Sequence, residues 1–98
     1  MNINNTLEER SKTHGDFSRV AKLHIELMEC FRTYSTNTWE VDYSEPQMVA
    51  LDMILHKLAR IGSGNPDEID HWRDIAGYAT LVVKELQKGT NATPTSDI

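Results

Sequence analysis

Two stretches of this chain, residues 45–61 and 66–88, carry apolar side chains at helical spacing and are separated only by Gly62-Ser63-Gly64-Asn65. Nothing else in the sequence constrains the fold as strongly, because the spacing predicts two long amphipathic helices folded back on each other as an antiparallel hairpin. Ser44 reads as the N-cap of the first, with Pro46 in its opening turn, where a missing N–H does no harm. Asn65 or Pro66 starts the second, which is expected to stop at Gly89. Residues 90–98, TNATPTSDI, carry almost nothing apolar and predict a disordered tail.

The N-terminal part continues the helical pattern. Thr6 followed by Glu9 fits a capping box and predicts a short helix to about Thr13. Gly15 then reads as its stop and Asp16 as the next N-cap. From Phe17 to Tyr34 the residues Phe17, Val20, Ala21, Leu27, Met28 and Phe31 share one face, with His24 in its middle. An imidazole there is more often a hydrogen-bonded core group than a ligand. Ser35–Ser44 is polar and aromatic, and reads as a loop with a short hairpin at Trp39–Tyr43 as the alternative. Trp39 and Tyr43 suit either stacking on a base or, by preference, closing one end of the bundle. The fold class is therefore all-α, a single helical domain over 1–89.

Composition narrows the function classes. Fifteen Asp and Glu against ten Lys and Arg give a net charge of −5, which disfavours general nucleic-acid binding. A single cysteine, Cys30, excludes an internal disulfide framework and a Cys-based zinc ribbon, and reads as a small buried hydrophobe. No apolar run approaches the roughly 18 residues of a membrane span, and MNINNTLEERSK lacks a signal-peptide apolar region. A soluble cytoplasmic protein without membrane contact is expected. A core of this size rarely supplies more than about 3–5 kcal/mol, so a homodimer or larger homo-oligomer is expected to complete it.

Each long helix also presents a polar stripe. Glu45, Asp52, His56 and Arg60 lie together on the first, and Asp67, Asp70, His71, Asp74, Tyr78 and Glu85 on the second. Opposite them run the apolar faces, Met48, Leu51, Ile54, Leu55, Leu58 and Ile61 on the first. On the second they are Trp72, Ile75, Ala79, Val82, Val83 and Leu86. In an antiparallel hairpin Asp52 and His56 come near His71, Asp74 and Tyr78, and convergent carboxylates suit a hard cation such as magnesium. The bland alternative is a solvated surface laced with i, i+4 pairs. A third reading pairs Asp74 with Lys57 or Arg60 as a structural bridge.

ALDMILHKLARI at 50–61 followed by DHWRDIAGYATLV at 70–82, with THGDF at 13–17 upstream, resembles a family of small phage and prophage proteins. The layout is similar to phage nucleotide-modification-associated domains and, more remotely, to the MazG-like all-α nucleoside triphosphate pyrophosphatases. That likeness implies magnesium held by two acidic pairs that grip a nucleotide's phosphates. Here the pairs fall on Val49 and Asp52 and on His71 and Asp74, with Asp70 one place earlier. Two of the four positions are not acidic.

The resemblance therefore implies metal ligands Asp52, Asp70, His71 and Asp74, and nucleotide contacts from Lys57, Arg60, Tyr78, His14 and Asp16. Two functions are expected in competition. One is a phage accessory protein in the host cytoplasm that binds a nucleotide or a host protein without hydrolysing anything, which the missing carboxylates favour. The other is a magnesium-dependent nucleotide pyrophosphohydrolase, with His56 or His71 moving protons.

Overall fold

A computed structural model describes residues 3–90. Among them the chain forms five helices and no strand: α1 (Ile3–His14), α2 (Phe17–Tyr34), α3 (Trp39–Asp42), α4 (Glu45–Ser63) and α5 (Ile69–Thr90). None is long and apolar enough to cross a membrane. Helix α4 is the centre of the arrangement, with α5, α2 and α1 all packed on it.

The reasons for the α4 boundaries are local. Ser44 accepts from the Gln47 amide while the Gln47 side chain accepts from the Ser44 amide, closing a capping box, and Pro46 follows in the first turn. At the other end the Gly64 amide bonds back to the Arg60 carbonyl. Small residues let the neighbours approach: Ala50 and Ala59 are buried, with Leu55 between them and Val20 contributed by α2. Met48, Leu51, Ile54 and Ile61 are half-buried, whereas Leu58 lies outside.

Several boundaries differ from expectation. Thr6 and Glu9 lie inside α1, which already runs from Ile3, so Thr6 is not the N-cap it was expected to be. Phe17 opens α2 but is 84% exposed rather than part of its inner face, because it stands at the corner where α1 turns into α2. The connector, expected as a loop with a short hairpin as the alternative, holds one helical turn, α3, and no strand. Its first residue, Trp39, packs on Phe31 and Tyr43, while Arg32 lies over the indole at 5.2 Å. Cys30 is exposed, not buried.

Helix α5 begins at Ile69, later than expected, because Asn65 and Asp67 first make a side-chain turn, Asn65 Oδ1 accepting from the Asp67 amide at 3.0 Å. It passes through Gly89 to Thr90, so the expected stop is overrun; the tail expected beyond it, residues 91–98, lies outside the described residues. The inward face of α5 is also rotated. His71, Ile75, Tyr78 and Val82 face the bundle, while Trp72, Ala79, Val83 and Leu86, expected inside, are exposed.

Candidate functional site

Two chain reversals meet backbone to backbone. Gly15 takes φ +88°, the left-handed conformation that ends α1, and a Cβ there would collide with the Ser63 carbonyl. Opposite it, a Cβ on Gly64 would lie 2.6 Å from Thr13 O. The gap is closed by the Asn65 amide, which donates to Thr13 O at 3.1 Å. His71, at the start of α5, is 1% exposed and sits under this corner, its Nε2 lying 3.3 Å from both Thr13 O and His14 Nδ1. Backbone contact this close requires glycine on both sides.

Beside the corner a cleft of about 730 Å³ opens between α1, the start of α2 and α4. Arg10 and His14, four apart on α1, line it from one side. His56 and Arg60, four apart on α4, line it from the other. Leu7, Val20 and the exposed ring of Phe17 supply its apolar wall, and Asp16 is its one acidic side chain. Two Arg and two His around one cavity stand out in a chain of net charge −5.

The imidazoles register that concentration of charge. His14 is held below its ordinary value of 6.5 by burial first, then by Arg60, His71, Lys57 and Arg10. His56 is likewise lowered, by burial and then by Arg60, His24 and Lys57, with Asp52 acting in the opposite sense. Both rings therefore hold their neutral form to lower pH than a free imidazole does.

The residues expected to form one cluster are divided. His14, Asp16 and Arg60 come together in the cleft. Lys57 is buried and joined to Asp74 at 3.0 Å, the structural bridge that was the third reading of that stripe. Tyr78 lines a different groove, with Val49, Ala50 and Leu81. Asp52 accepts from His24 Nε2 at 2.8 Å, and the His24 ring stacks on His56 with centroids 4.9 Å apart. Asp70 is exposed and faces Arg73 at 3.7 Å. The four expected metal ligands thus have four different partners, and among the described residues no group of three or more His, Cys, Asp or Glu is placed to hold a metal ion. As a set they do not fit a magnesium cage, which needs several oxygens converging at about 2.1 Å.

Arg10 and Phe17 belong to the cleft and were not expected there. The signal for Arg10 lay in its i, i+4 spacing to His14, matched by the same spacing from His56 to Arg60. For Phe17 there was none, since its helical position alone assigns it to a core.

In a comparison with protein families, residues 3–86 match a family described as a domain of unknown function (DUF6378). Comparisons with curated proteins and with solved structures give no match.

Proposed function

Since the chain belongs to the DUF6378 family, whose function is unknown, its activity must be argued from the cleft, and we propose that it binds a phosphorylated small molecule, a nucleotide, there without hydrolysing it. The observation that carries this is the pairing of Arg10 and His14 with Arg60 and His56 across one cavity. Guanidinium groups bind phosphate oxygens through parallel N–H bonds, and neutral imidazoles add donors without further repulsion. The volume, about 730 Å³, falls in the range of about 300–1,000 Å³ usual for small-molecule sites. Phe17 offers an exposed ring at the same cleft, a face on which a base can stack.

The phage-accessory setting rests on the motifs at 13–17, 50–61 and 70–82, and so does any likeness to the pyrophosphatases. Helices α4 and α5 are read as the antiparallel hairpin of that layout, with Pro46 and Val49 near Leu81 and Lys88, and Lys57 at Asp74. The exposed apolar side chains Trp72, Val83 and Leu86, which share one flank of α5, suit a second copy of the chain, which sedimentation at micromolar concentration tests.

Titration calorimetry with inorganic pyrophosphate and a nucleoside triphosphate panel, with and without magnesium, tests the binding. Arg60→Ala is expected to weaken pyrophosphate by about tenfold or more, the loss of a charge-assisted contact. Absence of binding at millimolar ligand ends the proposal. Release of pyrophosphate from any nucleotide would instead identify the hydrolase that the resemblance implies.

A further inference from the structure

His71 lies outside the cleft yet touches the residue that lines it. Its Nε2 is equidistant, at 3.3 Å, from Thr13 O and from His14 Nδ1. Thr13 O is a carbonyl and can only accept. If Nε2 of His71 were bare, its lone pair would face that oxygen in a pocket where the ring is 1% exposed and no water can intervene. The proton is therefore on His71 Nε2, shared between the carbonyl and the second ring. His14 Nδ1 must then be the acceptor and carries no hydrogen. A neutral imidazole has one N–H, so the hydrogen of His14 is on Nε2, the nitrogen not occupied by His71.

We infer that His71 is a positioning residue for the anion cleft: through its Nε2–H it fixes His14 as the Nε2–H tautomer, so that a cleft-lining ring is presented as a hydrogen-bond donor to a phosphate oxygen. The inference rests on the reading of the cleft as a phosphate site. Its structural half, the tautomer, stands or falls separately. The sequence supplies the parts: His14 immediately before the helix-ending Gly15, and His71 at the third position of α5, where the corner closes over it. Burial together with Arg60, Lys57 and Arg10 keeps His14 neutral, so that one tautomer is defined at pH 7.5.

Nitrogen-15 NMR of the ring protons at pH 7.5, on the full chain without ligand, reads the tautomer directly. The expected spectrum places the His14 hydrogen on Nε2; a hydrogen on Nδ1 overturns the inference even if pyrophosphate binds. His71→Leu removes the donor while keeping an apolar filling, and is expected to mix the two tautomers and weaken pyrophosphate by about five- to tenfold. His71→Gln places an amide N–H near the same point and is expected to restore both readouts. If His71→Leu fails to fold, the wild-type spectrum and His71→Gln still decide the matter. Equal loss of affinity in both folded variants with the tautomer unmoved would show that His71 is merely structural. If wild-type protein ignores pyrophosphate while His14 carries its hydrogen on Nε2, the phosphate reading fails and the tautomer assignment survives.

Discussion

The chain's four histidines form two ring pairs at nearly the same separation, His14 with His71 at 5.0 Å and His24 with His56 at 4.9 Å, yet the pairs are built differently. In the first, the third partner is a carbonyl oxygen and one ring is fully buried. In the second, it is the Asp52 carboxylate, and both rings are partly open to solvent. Each acceptor calls for a hydrogen on the imidazole nitrogen that faces it. In the first pair that nitrogen, His71 Nε2, also faces His14 Nδ1, so the choice is passed from one ring to the other; in the second the rings stack, and the bond from His24 to Asp52 places no hydrogen on His56. Separation alone does not decide what two histidines do; the way the rings meet does.

That contrast can be broken most severely at the corner holding the first pair. Gly15→Ala forces an L side chain into φ +88° and against Ser63, and is expected to lower stability by about 2–4 kcal/mol in urea denaturation. A loss under about 1 kcal/mol would show that the corner yields freely.

A comparison of carboxylates sharpens the contrast. Asp74→Asn leaves the buried Lys57 ammonium without its partner and is expected to cost about 1–2 kcal/mol, moderated because Asp74 is itself nearly half exposed. Asp52→Asn still accepts from His24 through its amide oxygen and is expected to cost less than about 1 kcal/mol. The reverse order would mean that Lys57 reaches water when Asp74 is changed.

The smallest effect is with pH. His14 and His56 are both lowered in the folded chain from 6.5, so the unfolded chain takes up protons first on acidification. Their contribution is complete above about pH 6.5 and is lost as the pH falls through the folded values. The urea midpoint is expected to decline between pH 7 and 5, and His14→Gln to make the decline shallower. An unchanged slope would show that His14 is not held neutral by the fold.

Much of the helical frame was legible because its signals are local. Gly15 and Asp16 separate α1 from α2, and Ser44, Pro46 and Gln47 start α4, through contacts within a few residues. The face of α5 was not legible. Trp72, Val83 and Leu86 outweigh His71 and Tyr78 in any apolar ranking, yet the two chain reversals meet over the start of α5, and there His71 reaches both His14 Nδ1 and Thr13 O, the latter already bonded by the Asn65 amide. The acidic stripes were legible as stripes only. Asp52 faces α2 through His24, whereas Asp74 faces Lys57, and which neighbour each meets depends on how three helices surround α4. The cleft was half legible: its His14–Gly15–Asp16 rim stood out as a break, but pairing Arg10 with Arg60 needs the packing of α1 on α4.

The two tryptophans flank α4, whose 19 residues span roughly 28 Å. Trp39 is wedged between Phe31 and Tyr43 beside the helix start, and Trp72 donates its indole hydrogen to the Pro66 carbonyl just past the helix end. Each indole is therefore an optical probe of a different neighbourhood. With the other replaced by Phe, the emission of Trp72 would follow the corner next to His71, and that of Trp39 the far end, which makes loosening of one end separable from loosening of the other by comparing two fluorescence traces.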